Sequence, residues 1–138
     1  MDLTQRQKVA SGGPYEDLVG YSRVLATGPF VYVAGTTAGS DGSPIPSSTA
    51  EQTRQTVEII RGKLAAVNVG LDEVVRVRMF VTDIKRDWQE VADVMNEYFI
   101  ATRPVMTMVQ VAALIDEQMS IEIEMNAVRK TVVTEHTA

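Results

Sequence analysis

The sequence predicts a single α+β domain, with one mixed β-sheet and two helices on one of its faces. Its 138 residues are enough to bury one ordinary hydrophobic core. An apolar fraction of 45 % and a charged fraction of 22 % are typical of a globular chain. Some segments have apolar residues at every second position, as in a strand, and others have them about every 3.6 residues, as in a helix. Taken along the chain, these segments give the order β-β-α-β-α-β-β. We assign residues 1–138 to this one domain, with a flexible lead-in over 1–17 and a flexible tail over 130–138.

The first two strands are predicted to form a hairpin. Residues 19–25 and 30–35 are short apolar runs, and Gly28 and Pro29 in the segment between them suit a tight connection. A loop rich in Gly, Ser and Pro follows over residues 36–48.

Capping residues and an apolar stripe identify each helix. Ser48 and Glu51 have the spacing of a capping box, and Gly70 is the predicted C-terminal cap of the first helix. The second helix is predicted to begin at Asp87. The two stripes are Val57, Ile60, Leu64 and Val67, and then Trp88, Val91, Met95 and Tyr98.

The remaining three strands are predicted at residues 74–82, 105–114 and 120–128. Successive side chains of a strand point to opposite faces of the sheet, so each strand divides into two sets. The sets predicted to face the helices are Val75, Val77, Met79 and Val81 in one strand, and Ile121, Ile123 and Met125 in another.

The opposite face of the sheet mixes charged and large apolar side chains. Its predicted members are Arg76, Arg78, Phe80, Met106, Met108, Glu122 and Glu124. A solvent-facing surface ordinarily holds fewer large apolar groups, and a buried one holds fewer charges. The mixture therefore favours a subunit interface with polar patches, or a pocket at its edge. A partly wet face with cross-strand ion pairs is the alternative.

Composition argues against several classes of function. The net charge of −5 and the absence of a basic run argue against nucleic-acid binding. No apolar stretch approaches the roughly 20 residues that a membrane helix needs, and the first residues do not have the pattern of a signal peptide, so we expect a cytoplasmic protein with no membrane partner. There is no cysteine, and the one histidine, His136, lies in a polar tail. A histidine-based triad, a thiol nucleophile and a typical zinc site are therefore disfavoured.

Three segments, in this order and spacing, resemble the reactive intermediate deaminase (Rid/YjgF) family. They are Gly20-Tyr21-Ser22-Arg23 with the run at 30–35, then the run at 78–83, and then Arg103-Pro104 through 109–112 to Ile121-Glu122-Ile123-Glu124. The resemblance covers roughly residues 18–129. It implies a chorismate-mutase-like α+β fold and a homotrimer with small-molecule clefts between its subunits. It also implies hydrolysis of enamines and imines to ketones and ammonia, with no metal or organic cofactor.

The resemblance also assigns site residues. The family's pocket tyrosine falls on Tyr21, and the glutamate proposed to orient water falls on Glu122. The glycine whose backbone lines the cleft falls on Gly35, preceded by Ala34 where a serine is common. Glu122 has a structural alternative as an ion-pair partner of an arginine on a neighbouring strand.

Three positions depart from the family pattern, and one of them is a helix asparagine position that falls on Ala92. The arginine that binds the substrate carboxylate falls on Met106, and a nearby cysteine position falls on Met108. A thioether cannot replace the two parallel charged hydrogen bonds of an arginine, although methionines offer an adaptable apolar wall. Arg78 is our candidate for the replacement cation. Arg103 lies at an odd offset from Met106, which in a regular strand places it on the other side.

Two functional hypotheses follow. The first is a divergent imine or enamine deaminase that acts on a substrate less polar than 2-aminoacrylate. Its catalytic residues would be Glu122 and Tyr21, and its substrate-binding residues Ala34, Gly35, Arg78, Met106 and Met108. The second is a non-catalytic trimer that binds a small metabolite or protects other proteins. A ribonuclease is disfavoured by the acidic charge and the missing histidine.

Overall fold

The computed structural model describes residues 5–130. Six strands, two long helices and two single turns of helix make up this part of the chain. In order they are β1 (Arg6–Val9), α1 (Glu16–Val19), β2 (Val24–Thr27), β3 (Phe30–Thr36), α2 (Thr49–Ala65), a 3-10 turn (Leu71–Glu73), β4 (Val74–Val81), α3 (Ile84–Phe99), β5 (Val105–Gln110) and β6 (Ile121–Val128).

The six strands form one sheet in the order β1-β2-β3-β6-β4-β5. All neighbours are antiparallel except β4 and β5, which run parallel and are connected through α3. One core cluster contains buried residues of the sheet, of α2 and of α3, which also pack on each other. The predicted α+β class, with both long helices covering one face, is confirmed.

The N-terminal segment is more ordered than predicted. Arg6–Val9 forms the edge strand and pairs with β2, and a helical turn at Glu16–Val19 ends at Gly20 with a left-handed φ of 94°. The predicted flexible lead-in is therefore wrong for these residues, and the first predicted strand starts at Val24 rather than at residue 19. An edge strand with exposed polar side chains carries no alternating apolar signal. The predicted tail lies outside the described residues from 131 onward.

The connection between β2 and β3 matches its prediction. Thr27 pairs with Phe30, so Gly28 and Pro29 alone make the turn. Gly28 has a φ of 57°, a conformation that glycine adopts without steric cost.

The start of α2 matches its prediction, whereas the end of α2 and the start of α3, at Ile84 rather than Asp87, do not. The Ser48 side chain accepts a hydrogen bond from Glu51 N, as expected, but α2 ends near Asn68, which has a left-handed φ of 59°, rather than at Gly70. The second long helix begins at Ile84 because the Asp83 side chain caps it by accepting a hydrogen bond from Arg86 N.

A β-bulge corrects the predicted face of one strand. Pairing between β4 and β6 shifts between Val74 and Arg76, so Val74 is buried and Val75 is 44 % exposed. The prediction that Val75 faces the core is wrong. The other three predicted core residues of β4 are buried: Val77, Met79 and Val81.

The faces assigned to β5 are reversed relative to the prediction. The parallel register pairs Met106 with Val77 and Met108 with Met79, which places both methionines on the helix-covered face. Their predicted position on the uncovered face is wrong. Alternation within a strand separates its two faces but does not say which one meets the helices. The strand also ends at Gln110, whose side chain accepts a hydrogen bond from Ile84 N.

The uncovered face holds one ion pair among exposed apolar side chains. Arg78 Nη1 lies 3.2 Å from Glu124 Oε1 across the β4–β6 pairing. The large apolar residues of this face that are more than a third exposed are Phe30, Tyr32, Val105, Val109 and Val128.

Candidate functional site

A cavity of about 490 Å³ lies between the N-terminal segment, the loop after β3 and the start of β6. We call it the Glu122 pocket. It combines polar side chains from distant parts of the chain, and those that concern function are Tyr15, Tyr21, Arg23, Ser40, Asp116 and Glu122, with Ala34 and Gly35 in the wall. Four of the predicted site residues are thus brought together: Tyr21, Ala34, Gly35 and Glu122.

A bulge in β3 shapes the wall of this pocket. Pairing between β3 and β6 stops at Val33 and resumes at Thr36 with a shifted register, so Ala34 and Gly35 protrude from the ladder. A Cβ atom on Gly35 would overlap the carboxylate of Glu122. The Glu122 side chain therefore lies directly against the Gly35 backbone, and a larger residue at position 35 would displace the carboxylate.

Glu122 is partly buried, and no hydrogen bond to its carboxylate is found among the described residues. Burial raises the pKa of this carboxyl, and Glu124 adds to the rise, whereas the positive charge of Arg23 opposes it. Arg78 forms its ion pair with Glu124 instead, so the structural alternative for Glu122 is not observed. The carboxylate remains available to a ligand or to water.

Arg23 is one of the pocket residues that were not predicted from the sequence, together with Tyr15, Ser40 and Asp116. It is 4 % exposed, and its Nη1 atom donates hydrogen bonds to Gly35 O and to Thr36 Oγ1. Its Cζ atom lies 5.4 Å from the centroid of the Tyr21 ring. The available signal was an arginine at the start of an apolar strand, inside the Gly20-Tyr21-Ser22-Arg23 segment.

Two buried polar atoms in the described part of the chain have no hydrogen-bond partner. They are Nε of Arg23 and Oγ of Ser40, and both residues line the Glu122 pocket. Buried polar groups are normally paired in a native protein, so unpaired ones call for an explanation. Their presence beside an unpaired carboxylate indicates a site that a ligand, water or another chain completes.

A second cavity, of about 400 Å³, lies against α3. We call it the Met106 cavity. Its walls are mainly apolar, with Met106 and Met108 from β5 facing Met95 and Phe99 from α3. Ala92, at the helix position where the resemblance implies an asparagine, also lines it. Met106 and Met108 are therefore neighbours, but they lie in a different cavity from Glu122 within one chain.

The cation beside the Met106 cavity is Arg103, not Arg78. Arg103 has a left-handed φ of 53° just before β5 begins, so the alternation expected from a regular strand does not apply, and its side chain lines the cavity. Within residues 5–130 it has no ion-pair partner. The predicted site thus divides into the Glu122 pocket, the Met106 cavity and Arg78, which lines a third cavity with Ala34 and Glu124 on the uncovered face.

Comparison with known proteins identifies the class of this molecule. The crystal structure of Rv2704 from Mycobacterium tuberculosis, a member of the highly conserved YjgF/YER057c/UK114 family, matches with a TM-score of 0.83 and 42 % identity, over 90 % of this chain and 99 % of that one. The fold is therefore the chorismate-mutase-like α+β fold that the resemblance implied.

Sequence comparisons agree. The family Endoribonuclease L-PSP matches residues 15–129. The uncharacterized protein SCO2049 of Streptomyces coelicolor is 32 % identical over 132 residues, 91 % of this chain and 94 % of its own. The mitochondrial protein MMF1 of Saccharomyces cerevisiae is 32 % identical over 111 residues, 80 % of this chain and 75 % of its own. The chain belongs to the endoribonuclease L-PSP (YjgF/RutC) family.

The cellular compartment of a relative bears on the location predicted for this chain. MMF1 is a mitochondrial protein, so a cytoplasmic location for this chain stays a prediction. In the part of the chain that the structure describes, no helix is both long and apolar enough to span a membrane.

Proposed function

We propose that this protein is a cofactor-independent imine or enamine deaminase that works as a homotrimer, with Glu122 as the group that activates water. One observation carries the proposal. The carboxylate of Glu122 stands unpaired in a cavity large enough for a small substrate, beside the Tyr21 hydroxyl and the protruding backbone of Gly35. The deaminase chemistry itself comes from the resemblance to the Rid family.

The reaction needs only a carboxylate and water. Glu122 removes a proton as the water oxygen attacks the carbon of a protonated C=N bond, and the π electrons of that bond move to nitrogen. That proton then passes from Glu122 to the nitrogen, and the C–N bond breaks with its electron pair leaving on nitrogen. The carbinol oxygen gives its proton to Glu122 as it becomes the carbonyl of the product, which accounts for the proton that the imine nitrogen brought. An imine and one water thus give one ketone and one ammonia. The raised pKa of Glu122 makes it a stronger base than an ordinary glutamate.

The Met106 cavity supplies the substrate preference in this proposal. In the trimer the Met106 cavity of one copy would face the Glu122 pocket of the next, so that the two halves form one cleft. Exposed apolar residues at the mouth of the Glu122 pocket support a covering partner, since Val19 is 74 % and Ile115 is 68 % exposed. Methionine walls suit a substrate with an apolar or aromatic body.

Arg103 is the proposed partner of any anionic group on that substrate. It is the guanidinium that lines the Met106 cavity, and the ion pair of Arg78 with Glu124 makes Arg78 the weaker candidate. A backbone held at a positive φ by a residue other than glycine is uncommon, and such positions are concentrated at functional sites. This assignment revises the earlier choice of Arg78.

The homotrimer has its own support and test. The uncovered sheet face places an Arg78–Glu124 ion pair among exposed aromatic and branched residues, a composition that fits a subunit interface. Light scattering coupled to size exclusion should give three times the 15.1 kDa mass of one chain. A single-chain mass at micromolar concentration would contradict the assembly.

Ammonia release tests the activity. Imines generated in solution from aliphatic and aromatic amino acids are offered to the wild type and to Glu122→Gln. The control is Glu58→Gln, because Glu58 is exposed on α2 and lines neither cavity. We expect Glu122→Gln to lose about 10²–10⁴-fold in rate, the usual contribution of a general base, and the control to keep its rate. Equal rates for the wild type and Glu122→Gln would refute the proposed role.

A non-catalytic metabolite-binding trimer is the alternative. The unpaired carboxylate of Glu122 is compatible with it, because a pocket that only binds a ligand needs no turnover. Ligand-dependent thermal stabilisation without ammonia release from any imine would support this alternative.

A further inference from the structure

We infer that Arg23 is a positioning residue that clamps the β3 bulge and thereby fixes the backbone of Gly35 against the Glu122 carboxylate. The inference rests on the proposed function only in taking Glu122 as the working group of the pocket. Arg23 itself stays behind the pocket wall and is not proposed to touch substrate.

The bulge has few other constraints. Ala34 and Gly35 have no paired residue on β6, so the ladder does not fix the direction of the Gly35 carbonyl. One nitrogen of Arg23, Nη1, donates to that carbonyl and also lies 3.1 Å from Thr36 Oγ1. The Thr36 hydroxyl in turn donates to Ala34 O at 2.8 Å. A single guanidinium group therefore holds both sides of the bulge.

Arg23 is itself firmly held. Its backbone N donates to Val9 O at 2.8 Å, and its carbonyl accepts from Ala34 N at 2.9 Å. Its side chain stacks on Tyr21, whose hydroxyl lies 3.5 Å from Nη2. The edge strand β1 thus contributes to the pocket by fixing Arg23, although it provides no pocket residue of its own.

The burial of Arg23 without an ion pair points to an electrostatic role as well. A buried charge is expensive unless a partner compensates it, and no carboxylate lies within ion-pair distance of Arg23 among the described residues. Its field instead reaches Glu122 across the pocket and opposes the effect of burial on that carboxyl. The pKa of Glu16 is lowered chiefly by the hydrogen bonds that its carboxylate accepts from Ser11 and Gly12, and the field of Arg23 lowers it further. The other titratable groups around the pocket are Tyr15, Tyr21, Asp116 and Glu124.

A purely structural clamp and a positioning residue make different predictions. Lysine keeps the charge but cannot reproduce the geometry of the guanidinium, whereas glutamine removes the charge as well. Arg23→Lys should therefore disturb the Gly35 backbone and leave the protonation of Glu122 nearly unchanged. Arg23→Gln should disturb both.

The test is an NMR titration of the Glu122 side-chain carboxyl carbon, read together with the Gly35 amide resonance. In Arg23→Gln we expect the pKa of Glu122 to rise above its wild-type value, and the Gly35 amide to shift in both variants. Arg61→Gln is the matched control, because it removes the same charge from the exposed surface of α2. We expect it to change neither signal.

Activity provides the second readout. Displacing a catalytic group lowers the turnover rate steeply. Arg23→Lys should therefore lower kcat by about 10- to 100-fold with a smaller change in KM. In Arg23→Gln the acidic limb of the pH–rate profile should also move to higher pH, because Glu122 must be ionised to accept a proton. If Arg23→Gln does not fold, the lysine variant still tests the clamp through the Gly35 amide.

The titration separates this inference from the proposed function. If the wild type shows no turnover but the pKa of Glu122 and the Gly35 amide respond to Arg23, the deaminase proposal fails and the role of Arg23 stands. Folded variants in which neither signal changes would overturn the inference, whatever the activity.

Discussion

The Glu122 pocket and the Met106 cavity differ in almost every physical respect. The first is lined by a carboxylate, a buried guanidinium and hydroxyl groups, several of them without partners, while the second is walled by methionines and a phenylalanine with one cation beside it. Polar groups without partners suit chemistry, and an adaptable apolar wall suits selection of a substrate body. The contrast fits the proposal that the two cavities are half-sites of one cleft shared between copies of the chain.

The largest effect is expected at the wall of the polar half-site. Gly35→Ala adds a Cβ atom that overlaps the Glu122 carboxylate, so that carboxylate must move. We expect a loss of about 100-fold or more in kcat, because misplacing a catalytic group by about 1 Å has this effect. Ammonia-release kinetics measure it. Gly62→Ala, on α2 with open space around the new methyl group, is the control and should keep full activity.

A gain of activity is expected in the apolar half-site. Met106→Arg places a guanidinium where the family resemblance implies one, and a bidentate grip on a carboxylate adds charge-assisted hydrogen bonds. Activity toward 2-aminoacrylate should rise by about 10- to 100-fold, as expected if the pair adds about 1.5–3 kcal/mol in total. No gain in a folded variant would mean that Met106 does not face the substrate carboxylate.

Arg103 should show a smaller effect that depends on substrate charge. Arg103→Gln removes the cation of the Met106 cavity, so KM for an imine with a carboxylate should rise by about 10-fold, while an uncharged imine keeps its KM. Steady-state kinetics with both substrates measure the difference. Arg78→Gln is the comparison variant, and a larger effect there would return the role to Arg78.

The smallest effect concerns stability. Burial raises the pKa of Glu122 in the folded protein, so ionisation of this group favours the unfolded state, and its contribution to stability is lost as the pH rises through the folded pKa. Glu122→Gln should therefore raise the melting temperature at pH 7 relative to the wild type, and the difference should vanish at acidic pH. Thermal unfolding at both pH values tests this. A variant less stable than the wild type at pH 7 would show that the ionised carboxylate has a stabilising partner.

Local signals in the sequence were sufficient for most of the fold. Ser48 marks the start of α2 through a hydrogen bond from a residue three positions away, and Gly28 marks the hairpin turn through its own backbone angle. Both effects are local in the sequence. Gly70 was predicted to cap α2, but the helix ends before it, because Asn68 has a left-handed backbone conformation. The sequence alone does not reveal that conformation. The polar edge strand at Arg6–Val9 gives no periodic signal, and its pairing with β2 alone identifies it.

The site was harder to predict because it depends on relations between strands. The shifted register at Val74 turned Val75 outward, and the register of β5 on β4 moved Met106 and Met108 to the helix face. Neither follows from alternation within one strand. The role of Arg23 depends on a bulge in the neighbouring strand β3, 12 residues along the chain, so its contacts with Gly35 and Thr36 had no local signature.

The central claim is that the Glu122 pocket of one copy and the Met106 cavity of another form a single cleft. Mixing two inactive variants tests it most directly: Glu122→Gln, and Met106→Trp, which fills the apolar cavity. In trimers reassembled from equal amounts of both, random mixing gives about one quarter of the clefts an intact Glu122 facing an intact Met106, and we predict that fraction of wild-type ammonia release. Mixed trimers that remain inactive would contradict the shared cleft.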